Sequence, residues 1–234
     1  MIQLMKLELK KLKLSTYVKG MLICFLMAAC FIGLFLGILN IESEAVNDFG
    51  GFTEFILLPD VIIRAIFIIY SSICLNRMVI DEYRNKTILL MFTYPINRKK
   101  LFLAKLLMIF LGTTISIFVS TVLLTGFATV ILRVMNIYPD ATMANYVNNL
   151  QLTVLGAFTC GFASLIPFYF GMRKKSMPST IVSGIILAVL LSQTGGGISF
   201  QFDMIRLLVM MGLAIMFVIS TIITKLNQLE ESDV

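Results

Sequence analysis

The chain has 234 residues, of which 59% are hydrophobic and only 14% charged, with a mean hydropathy of +0.95. A soluble domain has about 25% charged residues overall, so a soluble enzyme, a nucleic-acid binder and a disordered chain are excluded as classes. The composition is that of an integral membrane protein, and its net charge of +6 has meaning only by position.

The elements are predicted in chain order. Ile2, Met5, Leu9 and Leu12 recur at helical spacing beside a polar stripe of Gln3, Lys6, Lys10 and Lys13. This predicts a helix over 1–18 in the membrane interface, its lysines toward anionic headgroups; the competing reading is a positive flank that only fixes topology. A spanning helix needs about 20 apolar residues, and six segments qualify: 20–41, 59–80, 106–132, 150–172, 178–197 and 207–224. The second is predicted to open at Pro59-Asp60, Pro and an acid being favoured in a first helical turn. The third has 27 uncharged residues, which predicts a tilt or an extension beyond the bilayer. The fifth fades into Gln193-Thr194-Gly195-Gly196-Gly197.

Cys24, Cys30, Cys74 and Cys160 lie in apolar runs without a CxxC pair, and there is no histidine. They read as small buried apolar side chains, with no metal site implied. Leu26-Met27-Ala28-Ala29-Cys30 faintly resembles a lipoprotein signal, but the apolar run continues to Ile41 and reads as a retained anchor.

Orientation follows from Lys and Arg, which accumulate on the cytoplasmic side. Of nineteen basic residues, all but Arg64, Arg133 and Arg206 fall on one side if both termini share it. The first loop on the opposite side is acidic, with Glu42, Glu44, Asp48 and Glu54. The expectation is a single transmembrane domain over 1–234 in a bacterial cell membrane, multi-pass, with both termini inside.

The cytoplasmic loop 81–105 carries the densest pattern. Charged Asp81, Glu82 and Arg84 precede the apolar run 88–92, which Pro95 and the basic Arg98-Lys99-Lys100 close. A loop that only sets topology needs no such run, so 88–92 predicts a short helix burying a face. Glu82, Thr87, Leu89, Leu90, Pro95, Arg98 and Lys105 together resemble the cytoplasmic loop of ABC exporter permeases of the second type. The six-span layout and interfacial N-terminus are similar too. Lys86 stands where that family usually has Gly, and Asn97 where it has Ser.

The resemblance implies an all-α, six-span permease without its own ATPase; no GxxxxGK[ST] phosphate loop occurs in the chain. It implies two separate ABC ATPase subunits, which bind ATP and magnesium, and a second identical or related permease. Glu82, Arg84, Thr87, Leu89, Leu90, Pro95 and Arg98 would couple permease to ATPase. Small permeases of this kind resemble those for bacitracin and lantibiotic immunity, so the expected cargo is an amphipathic or apolar peptide. Export of polysaccharide or lipid-linked glycan, or an ATP-independent channel, carrier or sensor, are the alternatives.

No catalytic, cofactor or metal residue is expected on the chain. Asp60 and Arg64 stand at i,i+4 and can pair. Counted from Pro59, Arg64 lies about 7–8 Å deep, where it can snorkel; a structural pair at the helix mouth and a substrate contact are both open. Asp203 and Arg206 read the same way. Thr113, Thr114, Ser116, Ser120, Thr121 and Thr125 in the third span suit helix packing or a polar path, and Gly33 and Gly37 suit a helix contact.

Overall fold

A computed structural model describes residues 14–41, 52–80, 98–134, 143–174, 176–192 and 200–230. Among these every regular element is helical: α1 (Leu14–Ile41), α2 (Phe52–Leu75) continued by a π-helical turn (Asn76–Ile80), α3 (Arg98–Val134), α4 (Met143–Ala163), α5 (Ile166–Lys174), α6 (Met177–Ser192) and α7 (Phe200–Glu230). Five stretches are long and apolar enough to cross a bilayer: Tyr17–Leu34, Pro59–Ile80, Leu103–Ile131, Leu150–Lys174 and Asp203–Ile222; Met177–Leu191 is a shorter apolar helix. The protein is an all-α membrane protein.

Several boundaries differ from those read in the sequence. Residues 1–13 of the expected interfacial helix lie outside the described residues, and α1 runs without a break from Leu14 through Lys19 and Gly20. Helix α2 begins at Phe52, so Pro59 lies inside it rather than opening it. Proline removes one backbone donor, and in an apolar surrounding neighbouring helices can compensate that loss. Helix α3 extends over 37 residues, about 55 Å at 1.5 Å per residue, longer than the bilayer core. Helix α6 has only 16 residues, about 24 Å against the roughly 30 Å of a hydrocarbon core.

The expected fourth span is interrupted at Ser164-Leu165. Pro167 has no N–H to return to Ala163, and the chain passes through tighter bonds, Leu165 N to Phe162 O at 3.1 Å and Phe168 N to Leu165 O at 3.2 Å. Ser164 Oγ satisfies the Gly161 carbonyl at 2.6 Å. The continuation, α5, ends on Arg173 and Lys174.

Helix α2 is the centre of the bundle. Its Ile63, Phe67 and Ile68 pack with Ala28 and Ile32 of α1, Ile117 and Leu124 of α3, Ala157 and Cys160 of α4, and Ala188 of α6. A second cluster gathers Leu75, Val79 and Ile80 with Leu106 and Ile109 of α3 and Phe168 and Met172 of α5. Small residues set the crossings, because apolar helices in lipid gain most from close backbone approach. Gly184 of α6 leaves no room for a Cβ beside Ser72 of α2, and Gly161 of α4 leaves none beside Thr114 of α3.

The hydroxyls of α3 serve packing. Thr113 donates to Ile109 O at 2.9 Å, Thr114 to Phe110 O at 2.8 Å and Thr125 to Thr121 O at 2.6 Å. Ser116 donates to Gly112 O and also meets Met21 Sδ of α1. Two expectations are not met within this chain. Among the described residues, no atom of another helix lies within 4 Å of where a Cβ on Gly33 or Gly37 would stand. Cys30 is exposed on α1 rather than buried, while Cys74 and Cys160 are buried.

Candidate functional site

Two polar assemblies stand toward opposite ends of the apolar span Pro59–Ile80 of α2. At one, Arg64 Nη2 is paired with Asp60 Oδ2. Helix α2 begins at Phe52, so Arg64 is twelve residues in, and its guanidinium packs over Gly156 of α4, where no Cβ would fit. It is held between helices instead of reaching along the helix to water. Asp203 and Arg206, one turn apart at the start of α7, lie within electrostatic reach of Arg64. Arg206 Nη2 donates to Leu191 O at 2.5 Å, a carbonyl in the last turn of α6, where a cation complements the helix dipole. Two guanidinium groups and two carboxylates, of no net charge together, thus lie within electrostatic reach of one another on α2 and α7, with Arg64 seated on α4 and Arg206 bonded to α6.

The cluster is not fully satisfied. Asp60 Oδ1 and Arg64 Nε are buried without hydrogen-bond partners among the described residues. Buried charges are costly unless paired, and the loss of one partner costs more than the loss of both. Such groups inside a membrane point to a functional role. Asp60 and Arg64 come together within one helix; nothing in the residue spacing points to Gly156 as the seat of Arg64 or to Asp203 and Arg206 as its neighbours, since that needs the register of several helices.

At the other end, α2 widens into its π-helical turn, with Asn76, Met78, Val79 and Ile80 buried. Such turns often occur at functional places. Lys105 of α3 is only 3% exposed and donates from Nζ to Met78 O at 3.2 Å. A C-terminal carbonyl of a helix has no intrahelical donor, so an ammonium group there satisfies both the orphan acceptor and the dipole. The bond ties the place where the chain leaves α2 to the place where it returns on α3. Beside it, Tyr70 donates from its hydroxyl to Tyr17 O at 2.8 Å, holding α1 to α2. Lys105 was legible in the sequence as a lone cation at the edge of an apolar run, but its partner was not.

Glu82, Arg84, Thr87, Leu89, Leu90 and Pro95 lie outside the described residues; Arg98 is the first residue of α3. Among the described residues, no three metal-ligating side chains converge.

Residues 4–190 match the ABC-2 family transporter proteins. The chain is 34% identical over 202 residues to the uncharacterized protein YcbO of Bacillus subtilis (strain 168), covering 85% of this chain and 86% of that one. No solved structure matches. With a match over most of its length and helices that cross a bilayer, the chain belongs to the ABC-2 transporter family, as the membrane component that partners ABC ATPase subunits.

Proposed function

We propose that the chain is the permease subunit of an ATP-driven exporter in the bacterial cell membrane. It crosses six times with both termini inside and works as a pair of identical or related permeases with two ATPases, which bind ATP and magnesium. Its cargo is an amphipathic or apolar peptide, moved out in peptide secretion or in immunity to antimicrobial peptides. The loop 81–105 couples the two kinds of subunit.

The tie between Lys105 and the Met78 carbonyl is the observation that carries this reading. A force on the loop acts on both its ends, and with those ends joined it moves α2 and α3 together. Helix α2 packs in the middle of the bundle, and its far end bears the cluster of Asp60, Arg64, Asp203 and Arg206. Met78 and Asp60 are eighteen residues apart, about 27 Å along the helix and close to the thickness of a bilayer core. A displacement at the ATPase side therefore reaches the contacts that hold α4, α6 and α7 at the other face.

In the loop, Leu89 and Leu90 dock in a groove of the ATPase while Glu82, Arg84 and Arg98 orient the contact at its rim. Apolar anchors at an interface centre commonly contribute ~2 kcal/mol or more, and exposed rim charges ~0.2–1 kcal/mol. Leu89→Asp or Leu90→Asp, whichever faces the groove, releases the ATPase or abolishes its stimulation on purification of the complex, whereas Arg84→Ala changes either by less than tenfold. If both Asp variants insert, retain the ATPase and transport normally, the coupling role is wrong. Cells lacking the chain become more sensitive to a membrane-active peptide or retain one they secrete; loss of surface glycan without any peptide phenotype would replace the peptide with a glycan.

A further inference from the structure

A groove of about 730 Å³ runs between α5, α6 and α7, on the opposite side of α6 from its contact with α2 through Gly184. Its size is that of a small-molecule site, roughly 300–1,000 Å³. Val182, Ile186 and Leu190 of α6 face Leu213 and Phe217 of α7 across it, and Lys174 stands at its mouth with Ser176 and Ser179. Among the described residues, the lining contains no acidic side chain. Arg173 precedes Lys174 on α5 outside the lining; its Nη1 donates to Tyr169 Oη at 3.1 Å, and the Tyr169 ring packs on Phe217 of the lining with centroids 4.8 Å apart.

The length of the groove identifies what fills it. From Ser179 to Leu190 is eleven residues of helix, about 16 Å, half of a hydrocarbon core of roughly 30 Å. The walls are therefore apolar over the depth of one leaflet and cationic only at the end where the headgroups lie. Val182, Ile186, Leu190 and Leu213 are exposed beside it, so the groove opens sideways to lipid. An extended peptide would need polar partners along the walls for its backbone; the groove offers only the hydroxyls of Ser176, Ser179 and Ser183, and Ser183 already donates to Thr180 O at 2.9 Å.

We propose that this groove binds an anionic phospholipid, one acyl chain lying between α6 and α7 and the phosphate and headgroup held by Lys174 and Arg173. The site is independent of the cargo and of the coupling loop. Clusters of basic residues beside membrane helices bind anionic headgroups, and here an acyl slot continues directly from the cations.

The chain contains no tryptophan, so a single introduced one reports its own surroundings. Ile186→Trp places the probe in the groove, and Ile115→Trp places a reference on the exposed face of α3. The intact protein is reconstituted in phosphatidylcholine bilayers, and part of the lipid is replaced by phosphatidylglycerol or phosphatidylcholine with brominated chains. Each cation at a membrane surface contributes about fivefold in binding constant (~1 kcal/mol). Brominated phosphatidylglycerol thus quenches the probe at 186 with at least fivefold higher apparent affinity than brominated phosphatidylcholine, and the probe at 115 with equal affinity. Lys174→Gln with Arg173→Gln removes the difference at 186 while leaving the reference at 115 unchanged, which shows that the fold is kept. Equal quenching by the two lipids at 186, a preference that survives the double substitution, or no quenching at 186 by either lipid overturns the proposal.

Discussion

Breaking the Asp60–Arg64 pair tests whether the charges near the far end of α2 hold the bundle together. Both side chains are mostly buried, 11% exposed for Asp60 and 15% for Arg64, so solvent screens them little. Losing one partner of a buried pair costs about 3–5 kcal/mol, because the other charge is left uncompensated. Asp203 and Arg206 lie within electrostatic reach of the charge that remains, which places Asp60→Leu and Arg64→Met near the lower end, ~3 kcal/mol. By the scaling for soluble chains of this length, that is on the order of 6–12 °C in Tm.

The double variant Asp60→Leu/Arg64→Met removes both charges and leaves Asp203 and Arg206 as a pair. Replacing a whole buried ion pair by apolar side chains is often neutral, so its Tm returns to within a few degrees of the parent. Cys74 and Cys160 are buried and become reactive on unfolding, so once the half-buried Cys24 and exposed Cys30 are replaced by Ser, a thiol-reactive dye in detergent follows the transition without a new label. A double variant as unstable as the singles, or singles as stable as the parent, would refute the assignment of these charges as a mutually compensating pair.

Three further outcomes follow from the same structure. Lys105→Met removes a charged hydrogen bond of about 1.5–3 kcal/mol and reduces ATPase stimulation at least tenfold in the purified complex, while Lys105→Arg keeps part of it; unchanged stimulation in the Met variant would mean that the tie transmits nothing. Gly184→Ala forces a Cβ against Ser72 and destabilises by about 1–3 kcal/mol, with Ser72→Gly restoring part of the loss; Gly33→Ala, with open space around it, stays within about 0.5 kcal/mol. After replacement of Cys24, Cys30, Cys74 and Cys160, cysteines at Ser43 and Met143 react with an impermeant thiol reagent outside intact cells and one at Ser176 does not; the reverse pattern inverts the topology.

What the sequence made legible is what depends on hydropathy and short spacing. The apolar stretches gave the helices, and the i,i+4 spacing gave the geometry of Asp60 with Arg64. What it concealed depends on competition between signals or on other helices. Pro59-Asp60 reads as a helix start, yet Phe55-Ile56-Leu57-Leu58 just before it are apolar, and α2 continues back through them to Phe52. Pro167 is the signal for the break between α4 and α5, but the long apolar run around it has the hydropathy of one unbroken span. Gly33 and Gly37 carry the spacing of a helix contact, but spacing does not say which neighbour, if any, lies opposite. Gly156 carries no such pattern, and only its position opposite Arg64 gives it a role.

The irregular parts of α2 coincide with its polar attachments, and this bears on how it can move. Pro59 adjoins Asp60 at one end, and the π-helical turn holds Met78 at the other. Between them, Ser71 and Ser72 are wholly buried and return their hydroxyls to Ile68 O, at 2.7 and 3.0 Å. Gly184 seats α6 directly on this middle section. Interiors packed this closely transmit displacement rather than absorb it. The backbone that can deform without losing a regular helical hydrogen bond lies at the two ends, where proline and the wider turn have already altered the pattern. A shift of α2 would therefore carry this middle section as a rigid piece and bend at Pro59 and at Asn76–Ile80. The bonds it would change are those that hold these two places, Arg64 to Asp60 and Lys105 to the Met78 carbonyl.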